Sequence, residues 1–148
     1  SAITAEISTM VVNEQVDAME AMGIDPVHYL VGPRVFASFI MMPLLCAVFM
    51  FIGMVGTYMT GHYIYDIDQG LFFEKLIKIV KPHDIVIGLR KMAFFSLLVS
   101  IIACRKGLYA HGGAKGVGNA TTSAVVSTLI LILLTDFILS FAEIRWLS

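Results

Sequence analysis

The sequence predicts an all-α membrane protein, a polytopic helical bundle. Of its 148 residues, 58% are hydrophobic and only 14% are charged, whereas soluble domains run near 45–50% and about 25%. Three apolar segments reach about 20 residues or more, enough to cross a ~30 Å hydrocarbon core at ~1.5 Å per residue. Three such spans leave too little polar sequence to cover them as core helices of a soluble domain. The formal net charge of −1 offers no basic field for nucleic acid. Cys46 and Cys104 each sit inside an apolar run. Neither has the spacing of a disulfide framework or a metal site, so both read as small buried hydrophobes.

The chain opens on SAITAEISTM, which reads as mid-helix and carries no initiator Met. That start is expected of a C-terminal part of a longer protein, or of one piece of a split one. No secretory signal pattern is visible. Residues 4–22 are helical by pattern, with Val12, Val16, Met19 and Gly23 spaced by four, three and four. Glu6, Glu14, Asp17 and Glu20 make this helix acidic, and no Lys or Arg precedes Arg34. An acidic helix matches an anionic membrane surface poorly and suits docking on a protein surface, or else a solvated face. Gly23 fits a helix C′ position, and Asp25-Pro26 fits an N-cap followed by the first residue of a second short helix.

The first span runs from about Arg34 to Tyr58 and contains Pro43, which is expected to kink or break it. Gly53 and Gly56 would let another helix approach closely. Residues 59–83 form a polar connection with a short helix carrying Leu71, Phe72, Lys75, Leu76 and Ile79, capped by Asp68. Lys75, Lys78 and Lys81 suit an interfacial helix with snorkelling lysines. The second span covers about Ile85 to Cys104, and the third about Thr122 to Ala142. Between them, residues 105–121 read as a Gly-rich loop. Its KGVG fails the phosphate-loop pattern and follows no strand. If the connections alternate sides, each side carries four Lys or Arg residues, so charge bias does not orient the chain.

Two ionisable residues lie deep in the spans. Lys91 is six residues past Ile85 and Asp136 is six before Ala142, so antiparallel neighbours would hold them at one depth, about 9 Å along each helix. With span boundaries set to about two residues, either Arg90 or Lys91 carries this match, and the two point about 100° apart. Charges placed there either line a transport cavity or form a structural salt bridge that fixes helix packing. Glu143 and Arg145 suit interfacial anchors. His28, His62, His83 and His111 are scattered, and no nucleophile–base pair or metal constellation emerges, so neither catalytic nor metal residues are expected.

Residues 1–37, SAITAEISTMVVNEQVDAMEAMGIDPVHYLVGPRVFA, resemble the MlaE/YrbE permease family, the membrane subunit of Mce-type ABC lipid transporters. Ser1, Ala2, Ala5, Glu6, Met10, Glu14, Gln15, Asp25, Pro26, Pro33 and Arg34 match its pattern. KGVGNATTSAVV and TDFILS resemble two further family motifs, in the family's order, over essentially the whole chain. The resemblance implies a homodimeric, multi-pass permease of a bacterial inner membrane that moves phospholipid between inner and outer membranes. It implies ATP hydrolysis by a separate cytoplasmic ATPase, lipid handover to a periplasmic Mce-domain protein, and no cofactor or enzymatic activity in the permease itself. Residues 4–31 then become the coupling helices, with Glu6, Glu14, Gln15, Asp17 and Glu20 facing the ATPase. Residues 1–34 and 105–121 become cytoplasmic, and 59–83 periplasmic. Lys91 and Asp136 fall at positions of the lipid path. The family also has a longer N-terminal portion with an R-E-L-G-P motif, which this sequence lacks. That departure keeps open a second reading, a non-transporting membrane scaffold or degenerate permease fragment.

Overall fold

The computed structural model describes the backbone of residues 1–147 and the side chains of residues 1–145. Six α-helices form, one more than the pattern predicts at the N-terminal end, and several boundaries differ from the expected ones. They are α1 (Ala2–Val12), α2 (Gln15–Ala21), α3 (Gly32–Tyr63), α4 (Gln69–Ile79), α5 (Pro82–Leu108) and α6 (Gly113–Leu147), with a π-helical turn at Val27–Val31 leading into α3. No strand occurs among the described residues. Three helical stretches, Val27–Tyr63, Pro82–Leu108 and Gly113–Arg145, are long and apolar enough to cross a bilayer. Large apolar side chains along them are open to the surroundings, among them Phe49, Leu133 and Phe137. Such surface is stable in lipid and is a liability in water. The chain divides into two compact units, residues 1–38 with 97–148, and residues 39–96.

The spans are longer than their apolar cores suggest, because polar flanks continue the helices at both ends. The expected short helix after Asp25 does form, and the Asp25 carboxylate Oδ1 accepts the Val27 N–H at 3.0 Å. That turn then runs directly into α3 and does not stand apart from it. Pro43 lies inside α3 without interrupting it. The proline removes one N–H, the one that would have bonded the Phe39 carbonyl. The expected break is therefore corrected to a continuous helix.

Two further corrections concern backbone conformation. The helix expected over residues 4–22 is broken at Asn13 and Glu14. Asn13 closes α1 with φ −87°, and Glu14 takes the left-handed conformation with φ +59°. The β-branched pair Val11-Val12 just before it weakens the helix locally. The loop expected over residues 105–121 shrinks to the few residues between Leu108 and Gly113. Gly112 and Gly113, at φ +93° and +65°, make that turn, a conformation glycine adopts without strain. Gly116 serves a different purpose inside α6, where a Cβ would collide with the His111 carbonyl.

In the unit of residues 1–38 and 97–148, α1 packs on α6. Its buried face is Thr4, Ile7 and Ser8, one stripe at helical spacing. Small residues of α5 are buried in the same unit, Ser100, Ala103 and Cys104, as is Ala110 just past its end. At the centre Gly107 meets α1. A Cβ on Gly107 would stand 2.8 Å from the Ile7 Cβ and 3.2 Å from the Thr4 carbonyl. Small residues that admit a neighbouring backbone are the usual means of helix association in lipid.

In the unit of residues 39–96, α4 caps the end of α3 through aromatic contacts. The Tyr58 ring meets Phe72 edge-on at 5.4 Å and lies 5.7 Å from Phe73. Gly61 lets the Phe72 ring come close. Asp68 takes the N-cap position of α4 without a side-chain hydrogen bond. Lys78 pairs with Glu74 one turn away, at 2.6 Å on the open face, a contact of the kind worth only ~0.5 kcal/mol. Gly53 and Gly56 have no atom within 4 Å of a Cβ position, so among the described residues no helix uses them for close approach.

Replacing Gly107 with Ala pits two magnitudes against each other. Alanine favours helix by about 1 kcal/mol, while overpacking costs typically ~1–3 kcal/mol. The obstructing Ile7 Cβ is fixed to the α1 backbone and cannot swing aside. Gly107→Ala is therefore expected to lower the thermal unfolding midpoint in detergent, and Gly107→Val to lower it further. Gly118→Ala, with open space around it, is expected to leave the midpoint unchanged or raise it. Equal midpoints for all three variants would refute this account of the packing.

Candidate functional site

The five acidic and amide residues proposed for ATPase contact do not form one group. Glu14, Gln15, Asp17 and Glu20 lie on or at the start of α2, and all are exposed. Val16, between Gln15 and Asp17, is buried. The α2 helix ends in a Schellman motif. The Gly23 N–H donates to the Glu20 carbonyl at 2.9 Å and the Ile24 N–H to the Met19 carbonyl at 3.0 Å, with Gly23 at φ +76°. The sequence position of Gly23 foretold this end. The result is a short acidic helix with a defined C-terminal end and several exposed polar side chains.

Glu6 stands apart from them. It lies on α1, and its Oε1 accepts a 2.9 Å ion pair from Nη2 of Arg34. The Arg34 side chain is only 20% exposed, against 68% for Glu6. The other terminal nitrogen of Arg34, Nη1, is buried and has no protein partner. Arg34 sits at the start of α3, so this pair ties α1 to the first membrane helix. Sequence reasoning named both residues through their family pattern but did not couple them. Their separation by 28 positions carries no periodic signal.

Lys91 lies on α5 and is half-buried, whereas Arg90 beside it is exposed. Lys91 is nine residues into α5, and Asp136 is eleven residues before the end of α6. Each therefore sits about 14–17 Å from the nearer end of its helix. Lys91 belongs to the unit of residues 39–96 and Asp136 to the other. Among the described residues no group of three or more His, Cys, Asp or Glu side chains is placed to hold a metal ion.

The Glu6–Arg34 pair has an asymmetric energy. Glu6 can rehydrate if its partner is lost, but the half-buried guanidinium cannot. Glu6→Gln is expected to destabilise the protein by about 1–3 kcal/mol, above the ~0–1 kcal/mol of a fully exposed pair. Adding Arg34→Met removes the stranded cation and is expected to recover much of that loss. Denaturant titration of the single and double variants measures both terms, and strict additivity would exclude the coupling.

Comparison with known proteins bears on the whole chain. A family model described as Permease MlaE matches residues 1–142. A probable ABC transporter permease protein of Rickettsia prowazekii is 44% identical over 140 residues, covering 95% of this chain and 54% of that protein. A probable ABC transporter permease protein of Synechocystis sp. is 40% identical over 141 residues, again 95% of this chain and 54% of that protein. Protein TRIGALACTOSYLDIACYLGLYCEROL 1, chloroplastic, of Arabidopsis thaliana is 39% identical over 140 residues, 95% of this chain and 40% of that protein. The chain thus spans about half the length of the curated relatives it matches. On the extent of these matches and on three membrane-length helices, the chain belongs to the MlaE permease family.

Proposed function

We propose that this chain works as the membrane subunit of an ABC transporter that moves phospholipid between the inner and outer membranes of a bacterium. The carrying observation is the pair of ionisable residues inside the spans. Lys91 and Asp136 each sit more than two turns into a long apolar helix, where a charge costs roughly 2.5–3.5 kcal/mol or more. Residues at such depth mark a pathway or a pairing. In this reading Lys91 attracts the phosphate of a lipid headgroup, and Asp136 holds the Lys91 side chain in place. A relative whose name refers to a galactolipid supports a lipid as cargo.

The permease performs no hydrolysis in this reading and binds no cofactor of its own; ATP is bound and cleaved by a cytoplasmic ATPase partner. The exposed acidic face of α2 is suited to a basic or mixed protein surface. Glu14, Gln15, Asp17 and Glu20 meet the ATPase directly, while Glu6 passes the movement from α1 to α3 through Arg34. Two permease copies enclose the lipid, and a periplasmic Mce-domain protein receives it. Residues 1–34 and the turn near Gly112 face the cytoplasm, and α4 faces the periplasm.

The test is lipid transfer by the reconstituted full-length complex. Lys91→Ala and Asp136→Ala are each expected to reduce transfer severalfold while ATPase binding is kept. Wild-type transfer by both variants would overturn the pathway role. Recovery by the exchange Lys91→Asp with Asp136→Lys would instead assign the pair to helix packing. Glu14→Lys, Asp17→Lys and Glu20→Lys together are expected to abolish co-purification of the ATPase. Retention of the ATPase by that triple variant would remove α2 from the coupling surface. If the wild-type complex has no ATPase and transfers no lipid, the chain is a scaffold.

A further inference from the structure

We propose that the groove between the C-terminal turns of α5 and the facing turns of α6 binds an anionic phospholipid of the surrounding bilayer, apart from the transport path through Lys91 and Asp136. The groove is lined by Ile102, Arg105 and Lys106 from α5, by Tyr109 just past its end, and by Ser127 and Leu131 from α6. The three α5 residues follow i, i+3, i+4 spacing and so share one helix face. Ser127 and Leu131 are four apart and do the same on α6. A second concavity that shares Lys106 and Tyr109 continues the groove toward the turn, past Asn119 and Ser123. These two extend the same α6 stripe at four-residue steps.

The lining changes along the groove as an amphiphile requires. Lys106, Tyr109, Asn119 and Ser123 lie toward the turn at the helix ends, where headgroups sit. Ile102 and Leu131 lie further into their spans, where acyl chains sit. The volume, about 500 Å³, is that of a small-molecule site. Tyrosine at the edge of a span is the usual interfacial residue, with an apolar ring and a polar tip.

Charge selects an anion. From Ile85 to Thr135 the chain has no Asp or Glu, yet it carries Arg105, Lys106 and Lys115 near this end. No ion pair engages Arg105 or Lys106 among the described residues. Basic pockets between membrane helices are recognised sites for anionic headgroups, at about 1 kcal/mol per cation near the surface. Both cations also favour the C-terminal dipole of α5, but that contribution needs no groove.

The groove is not left open by default to α1. On α5, Gly107 meets α1, and Ala103 and Cys104 on the same face are buried with it. The groove residues lie on the nearly opposite face at 100° per residue. The α1 helix therefore packs against one side of α5 and does not cover the cationic side.

The proposal does not rest on the transport reading, and its readout is retained lipid. The full-length protein is purified from membranes and from nanodiscs of phosphatidylcholine doped with phosphatidylglycerol, and bound lipid is counted by native mass spectrometry. Wild type is expected to keep phosphatidylglycerol selectively. Arg105→Gln with Lys106→Gln is expected to cut that retention roughly tenfold or more, with helix content and elution volume unchanged. Lys115→Gln, a cation at the same end that does not line the groove, is expected to retain it. An equal loss in Lys115→Gln would overturn the site in favour of a diffuse basic surface. Displacement of the lipid by inorganic phosphate would overturn the lipid assignment in favour of a phosphate site. A wild type that retains no phosphatidylglycerol would overturn the proposal and leave the groove to another protein segment. If the glutamine pair misfolds, Leu131→Phe supplies the second variant. It narrows the apolar end alone, and unchanged retention there would equally overturn the site.

Discussion

Ile7 of α1 rests over Gly107 of α5, so closely that a Cβ on the glycine would stand 2.8 Å from the Ile7 Cβ, and α1 packs on α6 in the same unit. Lipid offers apolar side chains no hydrophobic gain from leaving it, so helices associate through close packing and polar contacts. The buried face of α5 supplies small residues for that packing, Ser100, Ala103, Cys104 and Gly107. With α1 seated, Glu6 is held where it can reach Arg34 at the head of α3. The left-handed Glu14 then turns the chain into the acidic α2, where Val16 is buried and Gln15, Asp17 and Glu20 are exposed. One bent junction thus joins α2 to a helix that packs on α6, touches α5 at Gly107 and is bridged to α3.

This layout assigns two roles to acidic residues that look alike in the sequence. Glu6 and Glu14 belong to one motif and are eight residues apart, close to two helical turns. An unbroken helix would have put them on one face as a single docking surface. The break at Asn13–Glu14 separates them, so Glu6 faces a cation of its own chain while Glu14, Asp17 and Glu20 stay exposed.

What the sequence conveyed follows from the same physics. The spans were legible because bilayer thickness demands long apolar runs, and composition alone reveals those. The end of α2 was legible because a Schellman turn needs φ > 0, and Gly23 supplies it. The glycines of residues 105–121 misled because residue type does not separate two uses of glycine. Gly112 and Gly113 make a turn, whereas Gly116 lets α6 pass close to the His111 carbonyl. The break at Glu14 was hidden for the opposite reason: a glutamate holds a conformation that glycine or asparagine usually marks. Pro43 shows the limits of a local rule, since a membrane helix tolerates the loss of one N–H bond. The Glu6–Arg34 pair was out of reach because tertiary contact between distant elements leaves no periodic trace.

Arg90 and Lys91 bring these points together. Two adjacent cations in one span look redundant when read along the chain. On a helix they are about 100° apart, so at most one faces any given partner. In the structure Lys91 is half-buried and Arg90 is exposed. A guanidinium is more weakly hydrated than an ammonium and spreads its charge over a planar fork. Its long stem also carries the charge toward the membrane surface, so arginine is the better of the two to stand exposed. Lysine, a compact charge on a flexible stem, is the better of the two to sit half-buried beside a phosphate or carboxylate oxygen. The order Arg-Lys therefore matches the two environments the helix creates, and reversing it would place each cation where it is least suited.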